Sequence, residues 1–229
     1  MPSYNTVDSG HHQTKDMHQP QRIVIKLGTN LLTGGKNSLD LKTIGDIIKQ
    51  IASLKKSGVD VLIVSSGAVA AGQGPLSRTP DKDKLQRGTI AYRQALAALG
   101  QPQLMMAFEQ LSAKQDLEVA QALISRGDLQ SRSRYLNIRN TLDALLAVGA
   151  VPILNENDVV AVEELTGDVW GDNDRLSAML ANTVDADLLI LLGEIDGLHT
   201  TDPKIDPDSK LIDHVTEITD DIQQSALGP

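Results

Sequence analysis

The fold follows from one stretch near the start of the chain, residues 22–66, which reads RIVIKLGTNLLTGGKNSLDLKTIGDIIKQIASLKKSGVDVLIVSS. Residues 22–27 form a short run rich in β-branched side chains, which predicts a strand. Apolar residues recur at steps of three and four over residues 41–54, and this spacing predicts an amphipathic helix that stops at Ser57. Residues 59–66 are almost continuously apolar and predict a second strand. Strand, helix and strand in this order make a βαβ unit, which favours a mostly parallel sheet.

The same alternation continues along the rest of the chain. Apolar runs predict three further strands, at residues 118–123, 150–155 and 187–192. Periodicity predicts helices at residues 68–71, 89–99, 104–111 and 134–148, and one that begins at GDND, with a break at Gly100 and loops at 28–35 and 74–88. A loop rich in Pro and Asp and a weak helix complete the sequence. The alternation predicts an α/β protein with helices on both faces of the sheet.

Composition excludes several classes of protein. The 229 residues suffice to bury a core, and because only 2% of them are aromatic that core must be aliphatic. The net charge of −9 argues against a nucleic-acid partner, and the absence of cysteine excludes disulfides, thiolate metal sites and cysteine nucleophiles.

No apolar run has the length of a signal peptide or a membrane span, so we expect a cytoplasmic protein without a membrane partner. Residues 1–21 are polar and aperiodic, and we expect them to form a disordered leader.

Ligands of open α/β sheets bind at the carboxyl ends of the strands, so the residues that follow each strand are the first candidates for a site. Lys26 lies within the first strand and is followed closely by Gly28. A buried ammonium group is costly without an anionic partner, so Lys26 either reaches solvent at the strand end or binds an anion. The nearby glycine favours the second interpretation, because a backbone without a Cβ lets N–H groups approach phosphate oxygens closely.

A turn of small residues, Ser65, Ser66, Gly67 and Ala68, follows the second strand and leads into a helix. Free N–H groups and two hydroxyls at a helix start suit an anionic group, although an ordinary serine N-cap explains the same sequence. No GxxxxGK[ST] sequence occurs, which excludes a P-loop nucleotide site.

Two polar segments, NEND at residues 155–158 and GDND at residues 171–174, concentrate amides and carboxylates. NEND directly follows a predicted strand, and GDND opens a predicted helix. Solvated turns are one interpretation, since Asn, Asp and Gly favour turns. Binding of a cationic amino group, coordination of Mg²⁺ and orientation of lysines are the others, and the spacing does not choose among them.

In this order, the segments VIKLGTN, VSSGAVAAG, VPILNENDVVA and GDNDRLSAMLA resemble the amino acid kinase family, from about residue 22 onward. The combination of NEND with GDND is similar to the branch of that family that acts on L-glutamate. The resemblance implies a three-layer αβα sandwich that transfers the γ-phosphoryl group of ATP to the side-chain carboxylate of L-glutamate, the first step of proline biosynthesis. It also implies Mg²⁺ as a cofactor, proline as a feedback inhibitor and assembly into a homo-oligomer.

The resemblance also implies roles for individual residues. Lys26 would contact the ATP phosphates and stabilise charge on the transferring group, and Asp172 would be the second catalytic residue. Asp172 and Asp174 would organise the lysine or Mg²⁺. The remaining ATP-binding positions would be Gly28, Gly193 and Glu194. The positions that bind L-glutamate would be Ser66, Gly67, Asp158 and Asn173. No residue is assigned as a metal ligand.

The sequence departs from the family pattern in two places. Gly193 and Glu194 stand where the family usually has Ser or Thr followed by Asp. The chain also stops at Pro229, before the family's GTGGM segment and its following lysine, so we expect a kinase domain over residues 22–229 that is truncated in its nucleotide site and lacks a PUA domain. We therefore expect weak or undetectable turnover. Two alternatives stay open: an inactive fragment that retains glutamate or proline binding, and a related kinase with another carboxylate substrate.

Overall fold

Five strands in the residues described by the computed structural model, 19–160 and 172–227, form one sheet. They are β1 (Arg22–Leu27), β2 (Asp60–Ser65), β3 (Val119–Ile124), β4 (Val151–Glu156) and β5 (Leu188–Leu192). Their spatial order is β3-β4-β2-β1-β5, and every pair of neighbours runs parallel. The expected parallel sheet is confirmed, and each strand begins and ends within one residue of its predicted bounds.

Eight helices accompany the sheet in the same described residues. They are α1 (Thr29–Thr33), α2 (Leu41–Lys56), α3 (Ala68–Ser77), α4 (Ile90–Ala113), α5 (Arg126–Gln130), α6 (Arg132–Ala147), α7 (Asp172–Thr183) and α8 (Asp220–Leu227). A single 3₁₀ turn, Lys82–Lys84, interrupts the loop between α3 and α4. None of the described helices combines the length and apolar character that a bilayer crossing requires.

Successive side chains of the strands point to opposite faces of the sheet, and each face has its own helices. Ile23 and Ile25 belong to a buried cluster that α2 and α4 complete on one face. Val24 and Val64 belong to a second cluster, completed by α6 and α7 on the other face. The three-layer αβα arrangement is therefore confirmed, with an aliphatic core on both sides of the sheet.

The predicted break at Gly100 is wrong, because α4 runs without interruption past it to Ala113. Gly100 is buried where α3 crosses α4, and a Cβ built on it would lie 1.8 Å from the carbonyl oxygen of Ala68. The partner position on α3 is Gly72, whose Cβ would lie 1.9 Å from the carbonyl oxygen of Leu96. Glycine at these two positions allows the two helix backbones to touch, and at Gly100 it does not end a helix.

Three other expectations need correction. Residues 28–35 contain a short helix, α1, and are not loop throughout. Helix α3 continues to Ser77 through the first residues of the segment predicted as a loop. Gln21, assigned to the leader, belongs to the fold, because its N–H donates to the Asp187 carboxylate at 2.7 Å and its carbonyl accepts from the Asp60 N–H at 2.8 Å. Residues 1–18 of the predicted leader lie outside the described residues.

Candidate active site

The carboxyl ends of β1, β2 and β5 lie side by side, so the segments that follow them meet. Leu27 at the end of β1 is in register with Ser65 on β2 and with Leu192 on β5. Just beyond these pairs, the Gly28 N–H donates to the Leu192 carbonyl at 3.0 Å, and the Ser66 N–H donates to the Leu27 carbonyl at 3.1 Å. Strand β4, next to β2, adds the NEND segment. The candidate segments therefore share one edge of the sheet.

Lys26 has an anionic partner within the protein. Its Nζ lies 2.6 Å from Oδ1 of Asp174 on α7, and its side chain is only 14% exposed. The Lys26 side chain therefore does not simply escape into solvent. Asp172, expected to share this role, is the first residue of α7, and its side chain lies outside the described residues.

Two cavities open on either side of Lys26. One, of about 500 Å³, follows β5, and we call it the β5-side cavity. The other, of about 470 Å³, follows β2, and we call it the β2-side cavity. Lys26 and Thr29 line both. The β5-side cavity contains the residues expected to bind ATP, namely Gly28, Gly193 and Glu194. The β2-side cavity contains those expected to bind L-glutamate, namely Ser66, Gly67, Asp158 and Asn173.

The wall of the β2-side cavity is built by the turn between β2 and α3. Gly67 adopts φ +92°, a left-handed conformation that side chains disfavour, and it caps the start of α3. The Ser66 hydroxyl accepts a hydrogen bond of 2.7 Å from Nδ2 of Asn173, which also donates to the Ser65 carbonyl at 3.2 Å. The Oδ1 atom of Asn173 is buried and makes no hydrogen bond within the described residues.

Two buried amide side chains, those of Asn155 and Gln101, lie behind this wall, and Asn155 contacts Asn173. Asn155 donates from Nδ2 to Oε1 of Gln101 at 2.9 Å, and its Oδ1 accepts from the Glu156 N–H at 2.9 Å. The same Oδ1 lies 3.4 Å from Nδ2 of Asn173. Gln101 is 9% exposed and lies on α4, directly after the glycine that touches α3. Because the Glu156 N–H can only donate, it requires the oxygen of Asn155, and the Nδ2 of Asn155 is left to donate to Gln101.

The β5-side cavity carries charges that sequence patterns did not single out. Lys204, in the loop after β5, places its Nζ 2.8 Å from the Glu194 carboxylate. Hydrogen bonds from Lys204 and then from Asn30 hold the pKa of Glu194 below its usual value. His199 contacts Asp196 through Nε2 at 2.7 Å on the same side. Glu194, where the sequence departs from the family pattern, thus has a cationic partner in Lys204 and remains an anion at neutral pH.

The roles of three further residues of the site were not predicted from the sequence. Arg93 and Asn155 line the β2-side cavity, and Gln101 supports it. Arg93 and Gln101 lie inside a helix where no motif surrounds them. Asn155 is the first residue of NEND, so its segment was recognised although its role was not.

Comparison with known proteins agrees with this geometry. The profile of the amino acid kinase family matches residues 21–227. The chain is 50% identical over 209 residues to the glutamate 5-kinase of Dehalococcoides mccartyi, covering 91% of this chain and 54% of that protein. It is 45% identical over 208 residues to the glutamate 5-kinase of Pelobacter propionicus, with 91% and 54% covered. It is 48% identical over 208 residues to that of Shewanella amazonensis, with 91% and 53% covered.

The chain thus spans about half the length of the curated relatives it matches. Within that half, the family profile extends over nearly all of the described fold and over both cavities. The profile match and the sheet topology agree, and the chain belongs to the amino acid kinase family.

Proposed function

We propose that this chain carries the site of a kinase that transfers the γ-phosphoryl group of ATP to the side-chain carboxylate of L-glutamate, giving glutamyl 5-phosphate and ADP. The observation that carries the proposal is the wall formed by Lys26 and Thr29, which borders both cavities. A phosphoryl donor in the β5-side cavity and an acceptor in the β2-side cavity would meet at Lys26. Similarity to proteins named glutamate 5-kinase supports the choice of substrates.

The acceptor needs no general base. A glutamate side chain has a pKa of about 4.3 and is already an anion at neutral pH. One carboxylate oxygen attacks the γ-phosphorus, the bond from that phosphorus to the bridging oxygen breaks, and ADP leaves with its electron pair. The main task of the protein is to align two anions and to reduce their repulsion.

Lys26 would perform that task. It lines both cavities, and its ammonium group would stabilise the negative charge that accumulates during transfer. The carboxylate of Asp174, 2.6 Å away, holds the flexible lysine side chain in one position. The start of α3 adds backbone N–H groups on the acceptor side, and Gly67 lets the ligand approach them closely.

The polar wall of the β2-side cavity would bind L-glutamate. The Oδ1 of Asn173, which makes no hydrogen bond within residues 19–160 and 172–227, is an acceptor suited to the ammonium group of an amino acid, and the Asp158 carboxylate lines the same cavity. Ser66 and the amide pair of Asn155 and Gln101 hold Asn173 in place.

ATP with Mg²⁺ fits the β5-side cavity chemically. Mg²⁺ in such sites is held by one or two carboxylates together with phosphate oxygens and water. The part of the chain that the structure describes contains no group of three or more metal-binding side chains. Glu194 lines the cavity and Asp174 contacts Lys26 at its edge, and these carboxylates would be the ones near the ion. When bound, Mg²⁺ would neutralise charge on the phosphates.

The proposal is tested by titrating the purified chain with L-glutamate and with ATP in a calorimeter, and by trapping glutamyl phosphate as the hydroxamate. We expect L-glutamate to bind with a dissociation constant of about 1 mM or below, and L-aspartate, one methylene shorter, to bind at least about tenfold more weakly. Equal binding of both amino acids would favour another carboxylate substrate. Absence of glutamate binding would overturn the proposal, whereas binding without hydroxamate would identify an inactive fragment.

Replacing Gln101 with methionine is expected to weaken L-glutamate binding by about tenfold, because the buried Nδ2 of Asn155 loses its acceptor and the support that Asn155 gives to Asn173 is weakened. Gln101→Glu retains an acceptor oxygen but buries a carboxyl group, and it is expected to restore only part of the affinity. Binding of ATP in the other cavity serves as the control and should not change. A loss of both affinities would indicate general disruption of the fold.

A cytoplasmic location remains a prediction from the sequence composition, and inhibition by proline and assembly into a homo-oligomer remain predictions from the resemblance. The individual roles of Lys26, Asp172 and the other assigned residues remain predictions as well.

A further inference from the structure

We propose that Arg93 binds the α-carboxylate of the substrate and, together with Asp158, forms a recognition site for the head group of an α-amino acid. The inference rests on the proposed function, since it assumes that L-glutamate occupies the β2-side cavity. It adds a specificity-determining residue to that cavity.

The structure brings Arg93 and Asp158 to the same wall. Arg93 lies in the first turns of α4, and Asp158 lies in the turn that follows β4. Gln94, the next residue on α4, donates from Nε2 to the Val159 carbonyl at 3.1 Å, which fastens the start of α4 to that turn. Both charged side chains line the β2-side cavity.

The charges of the cavity match those of the ligand. At neutral pH L-glutamate carries two carboxylates and one ammonium group. Lys26 and Arg93 are the cations that line the β2-side cavity in the described residues, and Asp158 is the anion among its lining residues. Each charge of the ligand thus has a counterpart of opposite sign, and the contacts that Lys26, Arg93 and Asp158 make within the protein would hold these charges in position.

Geometry decides which carboxylate goes to which cation. Lys26 also lines the β5-side cavity, whereas Arg93 does not. The carboxylate that receives the phosphoryl group must lie beside the donor and therefore at Lys26. The α-carboxylate is left for Arg93, whose planar guanidinium can bind both oxygens at once, and the ammonium group is left for Asp158 and Asn173.

The test is a calorimetric cycle of three ligands against three variants of the chain. The ligands are L-glutamate, L-isoglutamine, in which the α-carboxylate is a neutral amide, and glutarate, which lacks the ammonium group. The variants are Arg93→Gln, Asp158→Asn and the control Arg87→Gln, since Arg87 lies on the loop before α4 and lines neither cavity.

We expect Arg93→Gln to weaken L-glutamate binding about tenfold or more and to leave L-isoglutamine binding within about twofold of the unaltered chain. Asp158→Asn should weaken the binding of L-glutamate in the same way and leave the binding of glutarate unaffected, while Arg87→Gln should change neither.

Unfolding by urea verifies that each variant is folded. If Arg93→Gln binds L-glutamate as the unaltered chain does, or weakens both L-glutamate and L-isoglutamine equally, Arg93 does not bind the α-carboxylate and the proposed function still stands. If the unaltered chain does not bind L-glutamate at all, the proposed function and this inference fall together.

Discussion

Replacing Lys26 with methionine is expected to lower the rate of glutamyl phosphate formation by about 10²- to 10³-fold in the protein that carries this chain. The substitution keeps the apolar stem in β1 but removes the ammonium group that borders both cavities. It also leaves the Asp174 carboxylate facing the phosphates without its cation. Both changes raise the energy of a transition state rich in negative charge. The measurement is the hydroxamate assay at saturating L-glutamate and ATP.

Lys49→Met is the matched control for this experiment. Lys49 pairs with Asp46 on the exposed surface of α2, at 2.8 Å, and its loss should leave the rate unchanged. Asp174→Asn should cost less than Lys26→Met, because the ammonium group remains and loses only the side chain that positions it. A rate for Lys26→Met within about threefold of the unaltered enzyme would remove Lys26 from the mechanism.

Gly100→Ala is expected to lower the free energy of unfolding by about 3 kcal/mol, a large loss for the addition of one methyl group. The added Cβ would lie 1.8 Å from the Ala68 carbonyl oxygen and 2.4 Å from the Gly72 nitrogen, and these backbone atoms cannot move unless α3 moves. Because Ala68 is the first residue of α3 and follows the Ser66–Gly67 turn, the same displacement should weaken L-glutamate binding. Urea unfolding and glutamate titration measure the two effects.

Gly45→Ala, in α2, is the control with the opposite expected sign. A Cβ at Gly45 would lie in ordinary van der Waals contact with the flexible Leu111 side chain, at 3.5 Å. Alanine is the better helix former by about 0.5–1 kcal/mol, so this variant should be as stable as the unaltered chain or more stable. If Gly100→Ala and Gly45→Ala have equal stability, the close contact of α3 with α4 does not exist in solution.

Local signals explain why most of the fold could be predicted. Helix α2 has a regular apolar face, and Asp40 at its start accepts hydrogen bonds from the Lys42 and Thr43 N–H groups. Strand β1 and its neighbours are short apolar runs separated by helices, a pattern with few structural solutions. Such features depend on residues close in the sequence, so no knowledge of the tertiary structure was required.

The role of Gly100 could not be predicted, because it depends on a residue that is distant in the sequence. A glycine that ends a helix and a glycine that lets two helices touch look the same in one sequence. The difference lies in Ala68 of α3, more than thirty residues earlier. Only the tertiary structure shows that the backbone of another helix occupies the space of the missing side chain.

The candidate site likewise has features that could be predicted from the sequence and features that depend on the tertiary structure. Its segments could be located because parallel strands present their carboxyl ends together, and Lys26 was recognised as a charge that needs a partner. That the partner is Asp174 depends on where α7 packs. Gln101 and Arg93 are polar residues of a long helix, and their positions beneath and beside the cavity depend on the angle at which α4 crosses the sheet.

The wall that the two cavities share has a thermodynamic consequence. A ligand that neutralises Lys26 from one side changes the electrostatic potential that the other ligand meets, so the two binding equilibria cannot be independent. Linkage requires this coupling to be reciprocal: the factor by which nucleotide changes the affinity for the amino acid equals the factor by which the amino acid changes the affinity for nucleotide. Under the proposed function, a single lysine with its aspartate would thus make each substrate an effector of the other.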